Sequence, residues 1–563
     1  MPFKSRWTAE IPSVDVPTFV FGKQTGDVGS RPVLFDADSP ERHRLSLTDY
    51  RDWSKRFAAG LVAHGLKPGD RVLLFSGNTL FFPVVFMGTI MAQGVFTGAN
   101  PSYVGRELAY QLKDSGARFL IASAATLDVS LEAIDSIGFP RNRVLVFDNG
   151  RDTFDGTTKP VKGLRPWTDL IVSPQEGEAY RWPELTSPSD LKRLVCLNYS
   201  SGTTGVPKGV MICHRNYVAN TAQTAHVSEL SPDHDSWIRT AAFLCFLPMY
   251  HAYGQTFFCC SMPKRGIPTY IMPKFDFLKF LQHIQAFRIT DLALVPPIAI
   301  ALAKRPEVKQ FDLSSVVSAG SGAAPLGNEQ ARELESTLKG QVNVKQGWGM
   351  TEVTCSMTGW HPEEVVTSHS IGEMLPNCEA CIMADDGKTE FGPNEPGEFW
   401  VRGPNTMLGY WQKPDATKDT MTEDGWLKTG DIAFRDEKNR ITIVDRKKEL
   451  IKVKGNQVAP AELEALLMDI EGIADAAVIG VTRKGDEYPR AYLVRTAGSK
   501  VSEKQIHQFM SKKVARHKQL TGGIVFVEDI PKNPSQSGKI LRKVLRDQAA
   551  KEQGDSAPLQ SKL

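Results

Sequence analysis

The sequence predicts an α/β protein: a large N-terminal domain of α/β layered subdomains followed by a small α+β C-terminal domain. Three observations predict it. Helix-period segments alternate with short apolar strands from the N-terminus to about Ile441, as expected for helices packed on largely parallel sheets. Beyond Ile441 the texture changes to short strands and helices in a unit of about 110 residues, enough to fold on its own. The chain of 563 residues is also too long for a single core. The boundary falls in "DRKK", Asp445–Lys448, giving domains 1–445 and 446–563.

The segment "SLTDYRDWSKRFAAGLVAHGLKPGDRVLLFS" shows the repeating unit. Thr48 is read as an N-cap, Tyr50, Trp53, Phe57 and Leu61 recur at helical spacing, and Gly65 ends the helix. "KPGD" then turns the chain into the apolar strand "RVLLF". Further strands are expected at "ARFLIA", "NRVLVF" and "LVCLNY". The apolar run Leu80–Ala99 is interrupted by Pro83, Gly88, Gln93 and Gly94, which favours a buried helix with a Gly-rich exit over a membrane span. In the smaller domain, a helix starts near Pro460, strands are expected at "AAVIGV", "AYLVRT" and "GIVFVE", and a helix spans about Ser502 to Arg516.

Composition removes several function classes. With 67 basic and 64 acidic residues the formal charge is only +3, and no long basic block advertises nucleic acid. "MPFKSRWTAEIPSVD" is polar throughout, so no secretory leader and no transmembrane segment are expected. Eight scattered cysteines read as reduced thiols, and the single CxxC, Cys378 to Cys381, lacks the second pair that a zinc site needs. The final residues Ser561, Lys562 and Leu563 form a peroxisomal address read by an import receptor. The preceding "AAKEQGDSAPLQ" reads as an open polar tail that leaves this address accessible.

The chemistry-bearing stretch is "NYSSGTTGVPKGVM", Asn198–Met211, set between the apolar runs "LVCLNY" and "GVMI". Its spacing fits neither the Walker loop nor the dinucleotide fingerprint. Glycines nevertheless let backbone N–H groups approach phosphate oxygens, Ser200, Ser201, Thr203 and Thr204 add donors, and Lys208 adds charge. A phosphate cradle and a solvated Ser/Gly linker are the two readings of the residues alone.

"YSSGTTGVPKGV" resembles the signature phosphate loop of the adenylate-forming superfamily, which holds acyl-CoA synthetases, 4-coumarate–CoA ligases, firefly-type luciferases and non-ribosomal adenylation domains. "LPMYHAYG" at 247–254, "SGAAPLG" at 321–327, "QGWGMTE" at 346–352, "GWLKTGD" at 425–431, "DRKKELIKVKGNQVAPAELE" at 445–464 and "SGKILRK" at 537–543 follow in the family's order. "SGAAPLG" and "VKGNQVAPAELE" are most similar to the 4-coumarate–CoA ligase and peroxisomal acyl-CoA ligase branch. The resemblance implies an ATP-dependent acid–CoA ligase: a carboxylic acid attacks the α-phosphate of ATP to give acyl-AMP, and coenzyme A then displaces AMP. Its catalysis would be mainly electrostatic and positional. A luciferase-like monooxygenase and a stand-alone adenylation enzyme loading a carrier protein are the alternatives.

The resemblance also assigns residues. Ser200, Ser201, Gly202, Thr203, Thr204, Gly205 and Lys208 would hold the β- and γ-phosphates. Gln346, Gly347 and Trp348 would contact the nucleotide; Trp348 replaces the usual tyrosine and can stack on adenine, against the plainer reading of a core filler. Thr351 would touch the α-phosphate and Glu352 would hold Mg²⁺. Asp431 would accept the ribose hydroxyls with Arg446 in support, where an Asp after Gly is otherwise a turn residue. His251 would position the acyl carboxylate, against the plainer reading of a satisfied core histidine.

Lys539 is similar to the family's adenylation lysine and Lys452 to the lysine facing the site during thioester formation. The resemblance reconciles them by rotating a mobile C-terminal domain about a hinge at Lys448. Gln457 would contact the nucleotide, and the backbone of Val453, Lys454 and Gly455 would flank pantetheine. The acyl pocket would be lined by His251, Ala252, Tyr253, Phe257, Gly322, Gly349, Cys355 and Ser356, for an aryl, arylalkyl or medium-chain acid. "PKNPSQSGK" is two residues longer than the family's common form before Lys539.

Overall fold

A computed structural model describes residues 2–200, 207–338, 342–453, 456–483, 486–532 and 540–555. The alternation of the sequence builds two seven-stranded sheets. The first runs, in spatial order, Lys208–Cys213, Leu194–Ser200, Val95–Ala99, Arg71–Phe75, Ala117–Ser123, Val144–Phe147 and Arg165–Pro166. Its neighbours are parallel apart from the first two, which form an antiparallel pair with Lys208 opposite Ser200. The loop expected to cradle phosphate therefore joins two adjacent strands. Residues 408–411 run along the open edge of Lys208–Cys213. Met211 N–H donates to the Gly409 carbonyl at 2.9 Å, Leu408 N–H to that of Met211 at 2.9 Å, and Trp411 N–H to that of Gly209 at 2.8 Å.

The second sheet runs Val344–Gln346, Ser318–Ser321, Asp291–Leu294, Phe243–Cys245, Thr269–Ile271, Pro32–Asp36 and Arg44–Ser46, and only its last pair is antiparallel. Helices cover these parallel strands, as crossover connections require. A five-stranded antiparallel sheet, Phe3–Lys4, Glu379–Met383, Gly397–Arg402, Leu427–Arg435 and Ile441–Arg446, completes the larger part of the chain and sets Asp431 directly opposite Arg446.

Two local expectations shift. The helix read from Thr48 spans Leu47–Ala63, and its cap is Ser46, whose hydroxyl accepts the Asp49 N–H at 3.0 Å while Asp49 accepts the Ser46 N–H at 2.9 Å. This reciprocal pair satisfies two otherwise orphaned donors, and Thr48 instead donates its hydroxyl to Asp27 at 2.7 Å. The apolar run at Leu80 forms the wholly buried helix Phe82–Met91, leaves it through Gln93 at φ +59°, and continues as the strand Val95–Ala99. Among the described residues no helix is long and apolar enough to cross a membrane.

The C-terminal elements are the hairpin Ile451–Val453 and Asn456–Val458, the helix Pro460–Met468, the sheet Ile473–Arg483, Asp486–Arg495 and Gly523–Phe526, and the helices Glu503–Lys513 and Arg542–Asp555. Their apolar side chains form two clusters separate from the main core. The last helix continues through Asp555 and buries Ala549, so "AAKEQGD" is helical rather than part of an open polar tail. Ser561, Lys562 and Leu563 lie outside the described residues.

At the junction, the buried Asp445 carboxylate accepts the Ala461 N–H at 3.0 Å in the first turn of Pro460–Met468, where a negative charge suits the helix terminus. Lys448 lies exposed in the turn that follows Arg446. Arg542 pairs with Glu464 at 2.6 Å and Arg546 pairs with Glu449, one residue beyond Lys448.

Candidate active site

The phosphate-loop strands, the turn after Gln346 and the segment 408–411 converge on Glu352. This carboxylate is 6% exposed and sits in the short turn Thr351–Val353 beside the buried Thr351. Its Oε1 accepts the Tyr410 hydroxyl at 2.8 Å and the Ser200 hydroxyl at 3.3 Å. Lys208 Nζ lies 4.2 Å from the centroid of the Tyr410 ring, within cation–π range. Burial, and then the Glu352 charge, hold the Tyr410 hydroxyl in its protonated form, so it remains a donor. Ser200, Lys208 and Glu352 are thus joined through Tyr410, a residue that sequence reasoning missed because it belongs to no local pattern and arrives from a distant segment. Ser201 through Gly205 lie outside the described residues.

The turn carrying Glu352 is held in a strained form. Thr354, a β-branched residue, adopts φ +69°, a genuine outlier for that side chain. Its hydroxyl donates to the Asn405 carbonyl at 2.7 Å, and the fully buried Asn405 amide donates to the carbonyls of Val353 and Ser356, each at 3.0 Å. Asn220 holds the Ser356 backbone from the other side, accepting its N–H at 3.1 Å and donating to its carbonyl at 2.7 Å. Gln346 is committed structurally: its amide both accepts from the Leu326 N–H and donates to the Leu326 carbonyl at 2.9 Å. Gly347, next to it, is exposed.

A second group lies on the antiparallel sheet. Asp431 is 2% exposed; its Oδ1 meets Arg446 Nε at 2.6 Å and its Oδ2 accepts the Trp348 indole N–H at 2.8 Å. Trp348 packs edge-on against Phe399, with centroids 5.2 Å apart, and its backbone N–H donates to the Thr358 hydroxyl at 2.9 Å. Trp348 is therefore tied to Asp431 as well as offering an aromatic face.

The expected acyl-pocket residues fall on three elements. His251 caps the short helix Ala252–Gly254, its exposed ring accepting the Tyr253 N–H at Nδ1, 3.3 Å away. Tyr253 and Phe257 meet edge-to-face at 4.8 Å. Phe257 belongs to the π-helix Gln255–Ser261, a rare form that clusters at functional sites. Gln255 inside it accepts from the Asn198 amide at 2.9 Å and the Tyr217 hydroxyl at 2.7 Å, and donates to the Tyr250 carbonyl at 3.0 Å. This buried network joins the strand before the phosphate loop to the backbone beside His251. A side chain added at Gly322 would meet only the Gly347 carbonyl, at 3.7 Å, whereas one at Gly349 would collide with the Cys355 backbone. Gly349 thus supports the Cys355–Ser356 wall, and Gly322 leaves space. Burial pushes the Cys355 thiol up to about 12, which leaves it a protonated packing group.

In the smaller unit, Lys452 is exposed on the strand Ile451–Val453, and its backbone N–H donates to Glu487 at 2.6 Å. Gln457 lies on the paired strand, opposite Lys452. Lys454, Gly455 and Lys539 lie outside the described residues. The paired thiols Cys378 and Cys381 enter different surroundings: Cys378 contacts Gln223 and Asn405, whereas Cys381 packs with Met383, Trp400 and Trp426.

Parallel sheets with a carboxylate and a lysine at the end of a Gly/Ser/Thr loop, and an aspartate–arginine pair nearby, define a nucleotide-handling α/β enzyme. The AMP-binding enzyme family model matches residues 22–411, and the AMP-binding enzyme C-terminal domain model matches residues 462–539. The chain is 35% identical to a phenylacetyl-CoA ligase of Aspergillus niger over 97% of its own length and 99% of that protein's. It is 35% identical to 4-coumarate–CoA ligase 1 of Petroselinum crispum over 96% of each. Its structure matches ATP-bound MatB from Rhodopseudomonas palustris with a TM-score of 0.80 at 26% identity, covering 95% of this chain and 99% of that one. The chain belongs to the AMP-binding enzyme family and, within the adenylate-forming superfamily, to its acyl-CoA ligase branch.

Proposed function

We propose that this chain activates a hydrophobic carboxylic acid, most readily an aryl or arylalkyl acid, and transfers the acyl group to coenzyme A. The activity is ATP-dependent acid–CoA ligation through acyl-AMP, with release of pyrophosphate and then AMP. The observation that carries the substrate reading is the edge-to-face Tyr253–Phe257 pair, with Tyr253 close to the Cys355 thiol. Such a wall offers aromatic contact and little polar recognition, so it selects by shape.

In the first step the acid is already ionised at neutral pH, so nothing need deprotonate it. The work of the site is to bring two anions together. Lys208 and the loop hydroxyls offset phosphate charge, Asp431 and Arg446 anchor the ribose, Trp348 covers the adenine, and Thr351 touches the α-phosphate. His251 orients the acyl carboxylate through a ring whose Nδ1 is engaged by the Tyr253 N–H. Glu352 suits Mg²⁺: it is a single buried carboxylate beside the phosphate strands, and that ion is commonly held by one or two carboxylates together with substrate phosphates. The ion would supply charge neutralisation at the phosphates. Lys539 would serve acyl-AMP formation and Lys452 thioester formation, with the smaller domain turning about Lys448. The Ser561-Lys562-Leu563 ending supports delivery to peroxisomes by an import receptor.

The test is pyrophosphate release across a panel of phenylacetate, cinnamates, benzoates and C6–C12 fatty acids, with and without CoA, with AMP and acyl-CoA quantified. Arylalkyl acids are expected to give the highest kcat/KM, with AMP formed in step with acyl-CoA. A medium-chain acid outperforming every aryl acid would overturn the substrate reading, and ADP as product would overturn the reaction.

A further inference from the structure

We infer that the indole N–H of Trp348 is a ribose-selectivity device: it fixes the carboxylate of Asp431 so that the enzyme distinguishes ATP from its deoxy forms. This inference rests on the reading of Asp431 as the ribose anchor.

The geometry is specific. The Asp431 carboxylate is held at both ends, Oδ1 by Arg446 Nε at 2.6 Å and Oδ2 by Trp348 Nε1 at 2.8 Å. Both are charge-assisted bonds at short distance, the strong class of hydrogen bond. Two donors on different oxygens fix the rotation of the carboxylate about χ2, an otherwise broad torsion. Neither donor competes with a sugar hydroxyl, because one carboxylate oxygen can accept from more than one donor. The donors come from separate elements. Arg446 faces Asp431 across the antiparallel sheet, and Trp348 is fixed by its own backbone bond to Thr358 and by the edge of Phe399. A tyrosine or phenylalanine at 348 keeps an aromatic face but has no N–H at the indole position. The tryptophan therefore does something at this site that adenine stacking does not require.

The two functions of the ring separate by substitution. Trp348→Phe keeps an aromatic face and loses the donor. Trp348→His keeps a five-membered ring whose Nε2 takes the place of the indole nitrogen, and loses the benzo face. Pyrophosphate release with the full-length enzyme is measured with ATP, 2′-deoxyATP and 3′-deoxyATP. For Trp348→Phe, kcat/KM with ATP is expected to fall about 10-fold, the size of a lost charge-assisted bond. With at least one deoxy nucleotide the fall should be much smaller, so the ATP/deoxyATP ratio collapses towards that of Asp431→Asn. For Trp348→His, ATP and the deoxy nucleotides should weaken together and the ratio should persist. An unchanged ratio in Trp348→Phe beside a collapsed ratio in Asp431→Asn would overturn the inference and leave the ribose reading standing. An unchanged ratio in Asp431→Asn itself would overturn both.

Discussion

The imidazole of His214 occupies the first position of the helix His214–Glu229, is 6% exposed, and accepts the Val16 N–H at Nδ1, 3.1 Å away. Burial, with the Arg193 charge adding to it, pushes its pKa from 6.5 down to about 3. Between these values the unfolded chain binds a proton that the native state refuses, so ν exceeds its native value in the unfolded state and stability falls as the pH drops. The slope this one group contributes reaches about 1.4 kcal/mol per pH unit and flattens below about pH 3. His214→Asn, whose Oδ1 can take the place of Nδ1, should show a shallower loss of stability between pH 7 and 5 in urea titrations. An identical slope in the two proteins would show that His214 is not the group being protonated.

At the scale of elements, the Glu352 turn is kept in place by side chains from elsewhere. Asn405, fully buried, donates to two carbonyls of that turn and accepts Thr354's hydroxyl on its own carbonyl. Asn405→Ala removes one donor from each of the Val353 and Ser356 carbonyls, which keep the Cys355 N–H and the Asn220 amide, and it leaves the backbone carbonyl that accepts the Thr354 hydroxyl. The cost should be about 1–3 kcal/mol of stability, two hydrogen bonds' worth, read as a lower melting temperature, with KM rising for ATP and for the acid because both lean on this turn. A fall in melting temperature with both KM values unchanged would confine Asn405 to stability.

These elements also mark what was legible beforehand. The strand–loop–strand setting of Lys208, the buried helix after Leu80 and the positions of Trp348, Asp431 and Glu352 were readable because each is written in contiguous residues. Asn220, Asn405, Gln255 and Tyr410 were not, since their partners lie far off in the chain and Asn, Gln and Tyr occur everywhere. The helix cap shifted from Thr48 to Ser46 because both residues suit the role and only the reciprocal bond with Asp49 decides between them.

For the whole molecule, the proposed mechanism asks two lysines of one small unit to serve one site. That unit has its own apolar clusters, as the proposed rotation of one body requires. Its attachment mixes polar and apolar contacts: the Asp445 carboxylate accepts the Ala461 N–H of the helix Pro460–Met468, and Leu450 and Ala459 pack with Ile432 and Val444. Lys539→Ala should lower acyl-AMP formation on the order of 100-fold or more while leaving CoA transfer from supplied acyl-AMP nearly intact, and Lys452→Ala should do the opposite. Single-turnover measurement of each half-reaction checks this, and equal losses of the same half-reaction in both variants would sink the division of labour.

The seam between Gly209–Met211 and residues 408–411 has a consequence for biosynthesis. A bare strand border is a template for pairing with another molecule, and here the covering segment is made long after the strand it protects. Until those later residues leave the ribosome, the nascent polypeptide carries an adhesive margin beside a glycine-rich loop. The same seam that sets Tyr410 beside Lys208 therefore also decides when the growing chain stops being prone to self-association.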